Sequence, residues 1–291
     1  MSVTALLPTR RVEAWKYSDL RAALGDQHLV LREGRDIIEQ LAPGTQRLDV
    51  PAGEDRLVVE RMDDETHLDA RSFEFTVAEG AILTRVVVQT GAATPLAMAR
   101  VRLEKGATLR QFTLAEGGKL ARLETLVDVE GEGARVELNG VYMTGAGRHA
   151  DLTSVINHHV AQGETRQLIK GVARKGGRGV FQGKIVVAKG AQKTDARQYH
   201  HGMLLEEGAE IFAKPELMIY ADDVQCAHGN TAGGLDERAL FYMRSRGVPE
   251  AEARALLIES FLVEAIPTGL PQELHDELVG RIRAWLAGAA A

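Results

Sequence analysis

The 291-residue sequence contains a single cysteine, Cys226. One thiol cannot close an internal disulfide, which fits a reducing cytoplasm. Nor can it furnish a self-contained cysteine-rich zinc or iron–sulfur site. Aromatic residues make up 5% of the chain, sparse for the ring platforms that sugar sites favour. No run of 18 apolar residues occurs, so no membrane span is expected. The start, MSVTALLPTRRVEAWKY, lacks an apolar stretch followed by a small-residue cleavage site, which speaks against a signal peptide. The net charge is −6, so bulk attraction to nucleic acid or to an anionic membrane is not expected. Nucleotide signatures are missing too. GGRGVFQG at 176–183 is followed by Lys184, but Ile185 stands where a phosphate loop needs Ser or Thr. No G-x-G-x-x-G follows a strand and opens a helix.

What is present falls into three parts: residues 1–55, 56–232 and 233–291. The first reads as a small helical region. Arg10 to Leu24 carries good helix formers with Val12, Trp15, Leu20 and Leu24, and Gly25 is a plausible stop. Asp36 to Leu41 reads as a second short helix, ended by Pro43-Gly44. From Arg56 onward, short runs rich in Val, Leu, Ile and Thr recur between glycines. In Ala134 to Leu138 the apolar residues alternate with Arg135 and Glu137, the period of a strand.

The turns repeat as well. A Gly-Ala step opens strands at Gly80, Gly106, Gly133, Gly190 and Gly208. The first spacings are 26 (106 − 80) and 27 (133 − 106); 57 (190 − 133) is near two steps, and 18 (208 − 190) is out of phase. Such a period predicts a solenoid of stacked strand-bearing coils, a parallel β-helix. A sandwich of evenly spaced hairpins is the alternative. Beyond Gly233-Gly234, Asp236 can cap a helix to Arg246, with Gly247 as its stop. Pro249 starts another with Leu256, Leu257, Phe261, Leu262 and Ile266. A last helix from about Pro271 carries an apolar stripe of Leu274, Leu278, Ile282, Trp285 and Leu286. These helices are expected to cover the end of the β body, to present a face to a partner, or both.

Candidate chemistry centres on Ala221 to Gly247, ADDVQCAHGNTAGGLDERALFYMRSRG. On a strand, Cys226 and His228 share one face, about 6.6 Å apart. Both can ligate a soft or borderline metal, but such a unit needs more than two ligands. The chain therefore looks like half of a site. A cysteine nucleophile with a histidine base would need direct contact and an orienting third group. Asp222 and Asp223 point to opposite faces of a strand, so a turn or capping role suits them better than a carboxylate dyad. The doublets His158-His159 and His200-His201 each put one ring on each face, which suits surface or ladder-packing roles.

The same segment resembles the signature of the SufB/SufD family of iron–sulfur cluster assembly proteins, ADDVKCSHGAT-x-G-x-LDE-x-x-LFYLRSRG. Matches are Ala221 to Val224, Cys226, His228-Gly229, Thr231, Gly233, Leu235 to Glu237, Leu240 to Tyr242 and Arg244 to Gly247. Three departures are Gln225 for a basic residue, Ala227 for Ser and Asn230 for Ala. Upstream, Lys170-Gly171, Phe181 to Ile185, Ala191 to Ala196 and Lys214 to Leu217 are similar to the family. Arg11, Glu13 and Trp15 to Leu20 resemble its N-terminal R-x-E-x-W-[KR]-Y-[ST]-x-L motif. Within the family the chain is most similar to SufD.

The resemblance implies a mainly β fold, a right-handed parallel β-helix with helical N- and C-terminal regions. It implies a non-enzymatic, cytoplasmic scaffold that works with a SufB-like subunit and a SufC-like ATPase. No cofactor would be tightly bound in the isolated chain; a transient iron–sulfur cluster would form at the subunit interface. His228, with Cys226 beside it, would serve that interface as a metal ligand shared with the partner subunit or as a proton-handling group. Leu235, Asp236, Leu240, Phe241, Tyr242, Arg244, Arg246, Leu257 and Phe261 would lie in the region that binds the ATPase. A free chain would be able to pair with itself. The rival readings are a cytosolic β-helix carbohydrate-active enzyme using Asp222 or Asp223, and a plain homodimeric structural protein.

Overall fold

A computed structural model describes residues 3–25 and 27–288. Two short helices, α1 (Leu20–Leu24) and α2 (Ile37–Leu41), precede the β body. The strands are β1 (Thr45–Val50), β2 (Asp55–Met62), β3 (Leu68–Val77), β4 (Ile82–Gln89), β5 (Thr94–Leu103), β6 (Thr108–Ala115) and β7 (Ala121–Val129). They continue as β8 (Arg135–Thr144), β9 (His149–His158), β10 (Glu164–Ala173), β11 (Arg178–Val187), β12 (Asp195–Leu204), β13 (Glu210–Ile219) and β14 (Gln225–Gly233). Helices α3 (Glu237–Ser245), α4 (Glu250–Val263) and α5 (Gln272–Ala287) follow. No helix among the described residues is long and apolar enough to cross a membrane.

The strands alternate between two parallel sheets. One runs β1-β3-β5-β7-β9-β11-β13, the other β14-β12-β10-β8-β6-β4-β2. Each turn of the chain adds one strand to each sheet, which makes a parallel β-solenoid. Coils lengthen along it: Ser72 pairs with Met98, a step of 26 (98 − 72), and Gln198 with His228, a step of 30 (228 − 198). Inward residues from both sheets, such as Phe75, Val101, Leu109, Val136, Ile156 and Ile185, stack into one core cluster.

The repeat heard in the sequence is a backbone position. Gly53, Gly80, Gly106 and Gly133 hold φ between 63° and 71° in successive turns, where glycine is free of the Cβ clash. The following Ala81, Ala107 and Ala134 are fully buried. In later coils the left-handed position passes to Gln162 and Lys193, at φ 62° and 61°. Gly190-Ala191 therefore lies off that position. Gly208-Ala209 lies in the opposite turn, between β12 and β13, so its interval of 18 had no reason to fit. The GGRGVFQG segment builds β11 rather than a phosphate cradle.

Three expectations are corrected. The helix foreseen over Arg10 to Leu24 is broken: a 3-10 turn, Glu13–Trp15, precedes α1, which Asp19 caps by accepting from the Ala22 amide. Between them, Trp15 and Ser18 are drawn onto the solenoid. Strand β1 begins at Thr45, ahead of the boundary foreseen near Arg56, and pairs with β3. The C-terminal helices do not cover the end of the β body. Ile258, Leu262, Leu278 and Ile282 pack on Val86, Phe112, Val141 and Val172, along the outer face of the β2–β14 sheet. At roughly 1.5–3 kcal/mol per buried aliphatic side chain, this packing outweighs surface ion pairs such as Arg61–Glu277, each worth about 1 kcal/mol or less. The N-terminal region covers the other sheet, with Leu7, Trp15, Leu20, Ile38 and Leu41 against Leu96, Met98 and Leu120. Both faces are clothed, and among the described residues no strand pairs beyond β13 or β14.

Candidate functional site at the open end of the solenoid

β13 and β14 are the last strands of their sheets. Among the described residues each leaves one edge of backbone donors and acceptors without a strand partner, a template for pairing with another chain. Apolar side chains gather at the end of β13, where Met218, Ile219 and Tyr220 are 38%, 42% and 57% exposed.

The ladder sets the direction of each β14 side chain. Cys226 pairs with Ala196, His228 with Gln198 and Asn230 with His200. Those three β12 residues are buried, so their partners occupy the inward face of the last coil. The period-two expectation that Cys226 and His228 share a face therefore holds. Their surroundings differ. Cys226 is half-buried against the core cluster, and burial raises its thiol pKa above the ordinary value. It thus carries its proton at neutral pH, and thiolate ligation would cost that proton. His228 is exposed at the open mouth. Among the described residues no three His, Cys, Asp or Glu side chains are grouped to hold a metal ion. His228 is the available donor here, and Cys226 the guarded one.

The neighbouring candidates are structural. Asp222 and Asp223 are exposed in the turn before β14. Asp223 forms an ion pair with Lys193 and its carbonyl accepts from the Lys193 amide at 2.7 Å, so the two acids make no dyad. In each histidine doublet one ring enters the solenoid and one leaves it. His158 and His200 are 1% exposed. His159 meets Asp128 at 3.0 Å, and His201 meets Thr231 at 2.8 Å, on the outside.

Of the residues foreseen to meet an ATPase partner, Phe241 and Tyr242 are 73% and 60% exposed on α3. Asp236 caps α3 through the amides of Arg238 and Ala239. Arg246 lies over the Tyr242 ring at 5.3 Å, and Arg244 pairs with Glu250 at 3.2 Å. Leu257 is half-buried. Leu240 is 3% exposed, which closes it to a partner in this structure. Leu235 and Phe261 are half-buried against the cluster that docks the tail, and Lys170 Nζ sits 4.5 Å over the Phe261 ring. Leu235 and Phe261 thus help to hold the tail in place, and with the buried Leu240 they offer a partner little surface.

In the sequence Asn230 stands out only as a departure from the signature, with no role given to it, although it lies two residues beyond His228, the same period-two step that joined Cys226 to His228. Its partner His200 sits one coil below, a relation that spacing alone does not reveal.

Comparison with known proteins gives the family. The family profile of the SUF-system FeS cluster assembly SufBD core domain matches residues 47–261. The chain is 31% identical to the iron–sulfur cluster assembly protein SufD of Escherichia coli K12, over 84% of this chain and 59% of the relative. It is 32% identical to an iron–sulfur cluster assembly SufBD family protein of Synechocystis, over 72% of this chain and 46% of that one. It is 35% identical to the chloroplastic protein ABCI7 of Arabidopsis thaliana, over 64% of this chain and 39% of that one. The matched regions thus span from about two fifths to three fifths of these relatives.

Proposed function

Because the chain belongs to the SufBD core family of SUF-system iron–sulfur cluster assembly proteins, we propose that it is a cytoplasmic, SufD-like scaffold subunit. Its open end meets a SufB-like subunit, and a nascent iron–sulfur cluster is the cargo assembled between them. His228 acts there as a ligand or proton-handling group, with Cys226 auxiliary. The observation that carries this reading is the uncovered β13/β14 end, which brings unpaired strand edges, exposed apolar side chains and His228 to one surface. Two donors from this chain leave further ligands to be supplied from across the interface. α3 presents Phe241 and Tyr242 to a SufC-like ATPase, consistent with the absence of both phosphate-binding signatures from this sequence.

The experiment is His228→Ala in the full chain, purified with its partners. The variant is expected to keep the fold and the complex and to lose cluster assembly. Full assembly by that variant would remove the role given to His228. Recovery of the chain from its native cell only as a homodimer, without a SufB-like or SufC-like partner, would favour the plain structural reading instead.

A further inference from the structure

His200 lies in the interior of the solenoid, 1% exposed. Its ring is nearly parallel to the rings of Tyr142 and Phe181, with centroids 5.9 and 5.3 Å away and interplanar angles of 14° and 7°. Tyr142 is itself fully buried. Its ring occupies space that Gly171 and Gly179 leave: a Cβ on either would fall 1.9 or 2.1 Å from ring atoms. The imidazole therefore has little freedom to turn.

Two hydrogen bonds run through this cage. Tyr142 Oη and His200 Nε2 are 2.9 Å apart, and His200 Nδ1 and Asn230 Oδ1 are 2.7 Å apart. An amide oxygen only accepts, so Nδ1 carries the proton and donates to Asn230. Nε2 then has only a lone pair and accepts from the Tyr142 hydroxyl. The chain has one consistent direction, from phenol through imidazole to amide. Burial keeps the ring neutral, with a pKa lowered to about 4. It also raises the Tyr142 pKa, so the hydroxyl keeps the proton it donates.

Asn230 sits at the mouth of the solenoid, on the same β14 face as His228 and one period-two step beyond it, about 6.6 Å along the strand. Its oxygen is spent on a buried ring, which turns its –NH2 away from that ring. The signature that this segment resembles has Ala here, which offers no such group.

We propose that Asn230 is a cargo-binding residue of the open end: the buried Tyr142–His200 pair positions its amide, and the –NH2 donates a hydrogen bond to a sulfide or thiolate sulfur of a cluster held beside His228. This rests on the reading of the open end as the assembly face. Tyr142 and His200 are positioning residues that never touch the cargo. An amide donor disfavours a bare cation and favours electron-rich sulfur, and hydrogen bonds to cluster sulfurs help set reduction potential. Asn230 would therefore stabilise the nascent cluster once sulfide has arrived.

The test compares Asn230→Ala, Asn230→Asp and His200→Phe in the full chain with its partner subunits, reconstituted anaerobically with ferrous iron and sulfide. Cluster lifetime and reduction potential are measured, with ring ¹⁵N shifts of His200 as the report on tautomer. Asn230→Asp keeps an oxygen for His200 and removes both N–H donors. It is expected to retain the His200 tautomer while cluster lifetime falls roughly tenfold, the scale of one charge-assisted hydrogen bond, and the potential drops. Asn230→Ala should lose the lifetime and the single tautomer together. His200→Phe should shorten the lifetime less, because the amide remains but is no longer held. Wild-type lifetime and potential in both Asn230 variants, alongside a defective His228→Ala control, would overturn this inference alone. A normal His228→Ala control would instead overturn the reading of the face.

Discussion

The Trp15 ring lies 4.1 Å from the guanidinium carbon of Arg122 and covers a buried ion pair. Arg122 and Asp151 are both fully buried and directly bonded. The guanidinium also reaches Glu124 at 2.7 Å and the Ala14 carbonyl at 2.7 Å, while Ser18 donates to Asp151. Burial works against the charged guanidinium, yet the carboxylates of Asp151 and Glu124 outweigh it and hold its pKa above the ordinary value. The N-terminal W-K-Y-S segment is thus a plug seated on β7 and β9.

Asp151→Ala is expected to destabilise the chain by about 3 kcal/mol, because it removes the fully buried partner of the Arg122 charge and leaves only the partly exposed Glu124 to balance it. Denaturant titration would measure this. The double variant Arg122→Met/Asp151→Leu should recover much of the loss. If Asp151→Ala unfolded at the wild-type midpoint, the plug would have no such anchor.

Gly179→Ala tests the interior packing. The new methyl would meet the Tyr142 ring, and overpacking of this kind costs about 1–3 kcal/mol or more. Tyr142→Leu in the same chain should relieve part of the cost. Equal penalties with and without the ring would show that the glycine serves some other need.

Acid should weaken the fold through its buried histidines. Desolvation lowers His149, His158 and His200 to about 4, below an unfolded value near 6.5. Between those values the unfolded chain binds more protons, so stability is fully present above about pH 6.5 and is lost as pH falls toward 4. Chemical denaturation across pH 7 to 4 should show a steep decline, partly flattened in His158→Gln. A profile level across that window would contradict the assignment.

Phe241→Ala and Tyr242→Ala are expected to leave folding stability within about 0.5 kcal/mol, as exposed sites do. Either should weaken binding of the ATPase partner by about 2 kcal/mol if the ring is an interface anchor. Titration calorimetry with the purified ATPase would decide. Deleting α4 and α5 is a poorer test, since it strips the β2–β14 sheet of its cover.

Ile219→Lys should disfavour self-pairing of the free chain through the open end, as charged residues blunt sheet edges. Sedimentation of the free variant and wild type would measure it. A dimer of unchanged affinity would move the self-contact elsewhere.

The sequence by itself determined the local events. Period-two alternation gave strands; Asp236 and Gly247 bounded α3; and the two-residue step from Cys226 put His228 on the same face. The solenoid was audible through Gly80, Gly106 and Gly133, until Gln162 and Lys193 took over the left-handed turn position. Only the tertiary structure decided what those strands enclose and leave bare. Trp15 reads as a helical apolar residue until Arg122, 107 positions away (122 − 15), comes beneath it. The terminal helices read as end caps, but their apolar stripes match the long outer face of a sheet and find more area to bury there. His200 meets Asn230 because coils stack in register, a distance of 30 residues in the chain (230 − 200) and one hydrogen bond in space. Spacing within a strand is fixed by backbone geometry and can be read from a sequence. Contact between coils depends on every loop length in between, and only the folded chain sums them.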